Sequence, residues 1–245
     1  MTAAAPARLI AAASAYYRRA GRFAWHFARG KLRADPVYAA ILARDLLRGR
    51  RTILDLGCGQ GLLAAWLLAA HELHASDVRG ARDWPRGWPA PPLLEAYRGI
   101  EINAREVARA RQAFALDTGA AVQIVHGDIR DVDYGSADAV VILDVLHYLD
   151  YPAQHRVLEQ ARGALAARGL LLLRVGDAAA GLRCTLSQAV DRTVVLARRG
   201  RWSPLGCRTL SDWQALLARC GFSAHPQPSS AGKLFANWLL RAEPA

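Results

Sequence analysis

The stretch ILDLGCGQG, residues 53–61, sets three glycines at alternate positions directly after a short apolar run, with an aspartate two residues before the first of them. Glycine tolerates left-handed backbone and lets another group come close to the chain, so a strand that ends in such a turn offers bare backbone and free N–H groups. The next nine residues, LLAAWLLAA (62–70), are apolar nearly all round and suit a buried helix. Strand, glycine turn and helix N-terminus together make a natural ligand site. The dinucleotide version of this device needs G-x-G-x-x-G. Here Leu62 stands where its third glycine would be, and the glycines are Gly57, Gly59 and Gly61. The turn therefore brings its backbone against something other than a pyrophosphate.

Downstream, strand-like and helix-like runs alternate. YRGIEI (97–102) reads as a second strand and AREVARARQAFAL (104–116) as an amphipathic helix capped by Asn103. AVQIVHG (121–127) is a third strand, and ADAVVILDVL (137–146) is a fourth, with the long apolar run typical of the buried centre of a parallel sheet. Helix PAQHRVLEQARGALAA (152–167) and strand GLLLLRV (169–175) come next, then a helix near 184–198. The helix SDWQALLARCG (211–221) has Ser211 and Gln214 as a capping box and Gly221 as its stop, and KLFANWLLRAE (233–243) is a final strand. This alternation predicts an α/β fold, a doubly wound, mostly parallel sheet with right-handed crossovers.

Residues 1–50 read as a helical N-terminal cap on a Rossmann-like core at 51–245, the whole forming one domain. Leu9, Ala13, Tyr16, Ala20, Phe23 and Phe27 recur at helical spacing and predict one apolar face, with Arg18, Arg19, Arg22 and Arg29 off it. Gly30 predicts an interruption, and Asp35 followed by Pro36 a new helix start. The segment 77–97, with four prolines and two tryptophans, predicts an ordered loop insertion.

At 245 residues, 53% of them hydrophobic and 22% charged, the chain can bury a sizeable core. Its four cysteines are scattered and form no C-x-x-C pair, which points to reduced thiols in a cytoplasmic protein instead of a disulfide framework or zinc site. The N-terminal AAASA run lacks a basic n-region and is too short for a secretory signal. The most hydrophobic window, 54–70, carries Asp55 and three glycines and so reads as strand and helix, not as a membrane span. His71, His74 and Asp77 fall close together without a convincing fourth ligand, so no metal is expected. The formal charge of +11 is almost all arginine, because lysine occurs only at Lys31 and Lys233. It reads either as compositional bias or as attraction to an acidic partner: nucleic acid, an anionic membrane surface contacted peripherally, or an acidic carrier protein.

ILDLGCGQG resembles the first motif of class I S-adenosylmethionine-dependent methyltransferases, apolar-D-x-G-x-G-x-G, and three further matches fall in order. GIEI ends the second strand on Glu101, HGDIRD continues from the third strand with Asp128, and ADAVVILDVLHYL is similar to the fourth strand and its exit in small-molecule methyltransferases. The resemblance implies a Rossmann-like sheet of seven strands and S-adenosyl-L-methionine as cofactor, with S-adenosyl-L-homocysteine as product. It implies that Asp55 holds the methionine amino group while Gly57, Gly59 and Gly61 let that moiety lie across the turn. Glu101 would accept from both ribose hydroxyls, Ile102 cover one adenine face, Asp128 accept from the adenine amine, the Ile129 N–H meet a ring nitrogen, and Asp144 close the pocket. Asp77 is a rival ribose partner, nearer the usual distance after the glycines. Glu101 is preferred because GIEIN leads straight into a capped helix, whereas Asp77 leads into the proline-rich segment.

Acceptor identity lies outside these motifs. Base-amine methylases of the superfamily show N/D-P-P-Y/F after strand four, and LDVLHYL lacks it, which makes nucleic acid an unfavoured substrate. His147 falls at the mouth of the expected site, either as a base for a hydroxyl proton or as a capping residue. His26 is the second candidate base. Tyr17, Phe23 and Phe27 would bind substrate as an aromatic lid, or pack the helix onto the sheet. The wider set of YRRAGRFAWHFARGKL, the Pro/Trp insertion and RTLSDWQALLARCGF also resembles methyltransferases found with bacterial aryl-polyene pigment biosynthesis. That implies a small hydroxyaryl or polyene-type acceptor, free or on an acidic acyl carrier protein. The competing classes are a nucleic-acid or protein methyltransferase, and a membrane- or carrier-binding module that retains the cofactor without turnover.

Overall fold

The computed structural model describes residues 5–78, 84–116, 121–180, 206–229 and 237–245. Its strands are β1 (Thr52–Leu56), β2 (Ala96–Glu101), β3 (Ala121–His126), β4 (Ala137–Leu143), β5 (Leu165–Gly176), β6 (Phe222–Pro228) and β7 (Asn237–Pro244). They form one seven-stranded sheet in the order β3-β2-β1-β4-β5-β7-β6. β7 runs antiparallel to β5 and β6, and the remaining pairs are parallel. The helices among the described residues are α1 (Ala7–Ala15), α2 (Arg22–Ala34), α3 (Pro36–Ala43), α4 (Leu62–Val78), α5 (Ala104–Ala113), α6 (Tyr151–Ala164) and α7 (Leu210–Arg219).

Alternation along the central strands divides the core. Ala139, Val141, Leu170 and Leu172 face one layer, where α1 to α5 pack. Val140, Ile142, Leu171 and Leu173 face the other, where α6 and α7 pack. Burial on both faces is why these strands read as unbroken apolar runs. Strand order reverses between β1 and its two neighbours, β2 and β4, which opens a crevice at the carboxyl ends of the strands, the general ligand position of such sheets. Among the described residues no helix is long and apolar enough to cross a membrane.

The N-terminal segment differs from its expected single stripe. A single 3-10 turn succeeds α1 at Tyr16–Arg18, and Gly21 then takes φ +98°, so the helical phase is broken before α2. On α2 the buried side is Ala24, Ala28 and Leu32, while Phe23 is 64% and Phe27 37% exposed. The large rings dominate the periodicity, but the small alanines are what let the helix approach the core closely. Gly30 does not interrupt α2, which runs on to Ala34. Asp35 then caps α3 by accepting from the Val37 N–H, with Pro36 at the first position as expected.

Boundaries shift elsewhere as well, and α6 ends at Ala164 with β5 starting directly at Leu165. The capping box of α7 is Thr209 with Asp212, two residues before the expected Ser211 and Gln214. Asp77 and Val78 finish α4, and Ala96 already begins β2, which trims the insertion at both ends. β6 has no counterpart among the expected strands, because Pro226 and Pro228 speak against one. It is the outermost strand and pairs only with β7, and an edge strand tolerates missing N–H groups. The helix expected near 184–198 lies outside the described residues.

Candidate functional site

The glycine turn is tied to the end of β2. Gly57 and Cys58 N–H groups donate to the Ile100 carbonyl at 2.8 and 3.1 Å, and the Gly59 N–H donates to Glu101 Oε2 at 3.0 Å. Glu101 Oε1 accepts from the Asn103 N–H at 2.8 Å, so one buried carboxylate joins the turn to the start of α5. Gly57 has φ +77°, and a Cβ there would stand 2.4 Å from Val145 Cγ2. Gly59 has φ +56°, and its added Cβ would meet nothing within 4 Å. The first glycine is needed for packing as well as conformation, the second for conformation and for the open space in front of it.

That space is a cleft of about 890 Å³. The ends of β1, β2 and β4 and the loop after β3 send Asp55, Glu101, Asp144 and Asp128 to its wall, with Gly57, Gly59, Ile102 and Ile129. The Asp55 carboxyl is buried and accepts a hydrogen bond from the Tyr97 hydroxyl at 2.5 Å. Burial pushes it up to about 7; the Tyr97 hydrogen bond opposes this and the Glu101 charge adds to it. Cys58 sits beside it, and burial with the neighbouring carboxylates pushes its thiol well up, which makes it an inert neutral group. Asp128 is clasped by Arg130, Nε to Oδ1 at 2.9 Å and Nη2 to Oδ2 at 2.6 Å.

The cleft wall also carries a charge cluster the sequence did not suggest. Arg174, from β5, donates Nη1 to Asp35 Oδ1 at 2.6 Å and Nη2 to Asp35 Oδ2 at 2.8 Å. The same guanidinium holds both oxygens of Asp144, with Nε to Oδ1 at 2.8 Å. Lys31 pairs with Asp35 at 2.8 Å. Asp144 is one of two non-glycine residues among those described with positive φ, at 58°, and the guanidinium fixes that conformation. Lys31, Tyr38 and Arg174 all line the cleft. The available signal was an arginine inside the apolar run GLLLLRV, where an unpaired charge would be too costly to bury.

Several expected residues stand off the wall. Gly61 shapes the turn from behind, against Phe114. Tyr17 is fully buried and donates to the Gln60 carbonyl at 2.9 Å, bracing the turn from the core instead of meeting a ligand. Phe27 does line the cleft, and Phe23 stacks on it at 6.3 Å with the Arg109 guanidinium 4.4 Å above the Phe23 ring. His26 is exposed against Trp25, and His147 lies in the 3-10 turn after β4 beside Tyr148, so Tyr148 and not either histidine reaches the wall. Asp77 accepts from the Trp84 N–H at 3.2 Å and is not on the wall, which leaves Glu101 as the carboxylate at the end of β2.

The profile of a family described as a methyltransferase domain matches residues 54–171, from β1 into β5, the span that carries these carboxylates. Residues 54–171 thus carry the match to a methyltransferase domain, on a sheet of the class I S-adenosylmethionine-dependent methyltransferase type. The chain is 31% identical over 205 residues to acetylserotonin O-methyltransferase of Mus musculus molossinus, covering 78% of this chain and 50% of the relative. It spans half or less of the length of the curated relatives it matches. Solved structures share the fold. Magnesium protoporphyrin IX methyltransferase from Synechocystis PCC 6803, solved with bound S-adenosylhomocysteine, superimposes with a TM-score of 0.58 at 19% identity, covering 94% of both chains. The O-methyltransferase of neocarzinostatin biosynthesis, in complex with S-adenosylmethionine and 2-hydroxy-5-methyl naphthoic acid, gives 0.58 at 20% identity, covering 90% of this chain and 56% of that one.

Proposed function

We propose that the protein transfers a methyl group from S-adenosylmethionine to a hydroxyl of a small aromatic or polyene acceptor, free or held on an acyl carrier protein. The observation that carries this reading is the convergence of Asp55, Glu101 and Asp128, from the ends of three adjacent strands, on one cleft floored by the glycine turn. The residues present suit the cofactor. The open space before Gly59 admits a ligand against bare backbone. Asp55 can take the methionine ammonium, Glu101 has lone pairs left for the ribose hydroxyls, and Ile102, 44% exposed, offers an apolar face to the adenine. Asp128, oriented by Arg130, can accept from the adenine amine beside the Ile129 N–H, and Asp144 closes the pocket. When bound, S-adenosylmethionine supplies a sulfonium methyl carbon, and the protein's task is to align the acceptor oxygen in line with it and exclude water.

Aromatic acceptors suit the remaining wall, which carries Phe27, Tyr38 and Tyr148. The relatives' names point the same way, to acetylserotonin and a naphthoic acid. Among the described residues no histidine lines the cleft. A phenolic hydroxyl, with a pKa near ~10, loses its proton far more readily than an alkyl alcohol and so depends less on a dedicated base. Calorimetric titration with S-adenosylhomocysteine, wild type against Asp55→Ala, tests the site. Micromolar binding lost in the variant is expected, and no binding to the wild type, with or without hydroxyaryl acids present, would overturn the proposal. Mass spectrometry of those acids, free and carrier-bound, then reads the methylated product.

A further inference from the structure

Residues 1–34 hold seven cations, from Arg8 to Arg33, and no aspartate or glutamate. They supply +7 of the formal +11, whereas a compositional excess of arginine would spread along the chain. The fold gathers much of this charge on α2. That helix meets the core through Ala24, Ala28 and Leu32, and leaves Arg22, Phe23, His26, Arg29 and Arg33 exposed. Arg18, Arg19, Arg22 and Arg33 make no ion pair among the described residues. Beside them Phe23 stacks on Phe27, and α5 adds a further cation, Arg109, above the Phe23 ring. Contiguous exposed apolar surface rimmed by polar groups marks a contact site. We propose that α2 docks the protein on an anionic lipid bilayer, Phe23 and Phe27 entering the acyl boundary and the flanking arginines meeting the headgroup phosphates. Phe27 and the exposed Ile102 also line the cleft, so docking sets the cleft mouth against the lipid. The docking itself does not rest on the methyl-transfer reading.

The charge calls for an anionic partner, and the rings decide its kind. A helix with arginines and exposed phenylalanines on its free side has the composition of interfacial helices. An acidic protein would need charge pairs in register over a patch of ~800 Å² on each partner. The α2 helix is only about 20 Å long and holds no Asn, Gln, Ser, Thr or acidic side chain to fix such a register. Lipid headgroups need none. Each basic residue held near an anionic leaflet strengthens binding about fivefold.

The test is sedimentation of the full chain with vesicles of phosphatidylcholine alone and of an equimolar mixture with phosphatidylglycerol. Binding only to the anionic vesicles is expected, weakening as salt is raised. Phe23→Ser is expected to weaken it about tenfold. Arg22→Gln combined with Arg33→Gln is expected to weaken it about thirtyfold. Arg156→Gln combined with Arg219→Gln removes the same charge from α6 and α7, which pack on the other layer, and is expected to keep wild-type binding. All five side chains are exposed, so thermal melts should match wild type and separate lost docking from lost folding. Equal loss in the two arginine pairs, or full binding by Phe23→Ser, would show attraction to net charge alone and overturn the proposal. Absence of binding to the anionic vesicles at low salt overturns it as well. Capture by polyglutamate without vesicle binding would overturn it in favour of an acidic protein.

Discussion

Arg174 in β5 grips Asp35, the cap of α3, through two hydrogen bonds, and both groups are nearly buried. This fork ties the N-terminal helices to the centre of the sheet, and through Asp144 it also sets the exit of β4. Removing one partner of a buried pair leaves an uncompensated charge, typically costing about 3–5 kcal/mol. Arg174→Met should lose about that much in urea unfolding, more than Asp35→Asn, since asparagine caps α3 as well as aspartate does. Burial pushes the Asp35 carboxyl up, but Arg174 and Lys31 outweigh it and hold the group below the usual carboxylate range. Its contribution is therefore present at neutral pH and is lost as pH falls below about 4 toward the depressed value. A wild-type acid transition that persists unchanged in Asp35→Asn would contradict this.

Asp55 behaves in the opposite sense. With its carboxyl pushed up to about 7 by burial, the folded protein keeps a proton that the unfolded chain gives up near pH ~4. Between those values the native state binds more protons, so the stability of the ligand-free protein falls as pH rises toward 7 and then levels. Binding of an ammonium group favours the ionised carboxylate, so S-adenosylhomocysteine should bind more tightly as pH rises from 6 to 8, with proton release on binding. Calorimetry at pH 6 in two buffers of different ionisation enthalpy measures that release, and in Asp55→Asn it should vanish.

The glycines separate packing from ligand access. Gly57→Ala places a Cβ against Val145 in addition to imposing a positive φ, whereas Gly59→Ala meets only the conformational cost. That cost is roughly 1–2 kcal/mol. Gly57→Ala should therefore be the more destabilised in thermal melts. Gly59→Ala should fold and yet bind S-adenosylhomocysteine poorly, because its methyl group enters the cleft. Equal stability of the two variants would mean that Val145 yields freely.

The sheet was legible because its central strands are buried on both faces. Strands β1, β4 and β5 appear as apolar runs in the chain, and Asn103, Asp35 and Gly221 mark helix ends through chemistry that is local. The features that stayed hidden are non-local. The partners of Arg174 stand 139 and 30 residues away. The aromatic periodicity of the first helices put Phe23 and Phe27 on one stripe with Tyr16, yet of these only Phe27 lines the cleft, and Gly21 breaks the stripe before α2. Proline-bearing β6 was hidden for the same kind of reason, since only its place at the sheet edge makes it permissible.

Glu101 offers the sharpest separation of alternatives. It holds the Gly59 and Asn103 N–H groups inside the cleft, while Asp77 lies at the end of α4 and off the wall. Hydrogen bonds to a charged group are worth roughly 1.5–3 kcal/mol, so Glu101→Gln should weaken S-adenosylhomocysteine by about ten- to a hundredfold. 5′-Methylthioadenosine, which lacks the amino-acid end and keeps the ribose, should weaken by the same factor. Asp77→Ala should leave both affinities unchanged. If the Asp77 variant loses binding and the Glu101 variant keeps it, the ribose is held elsewhere than at the end of β2.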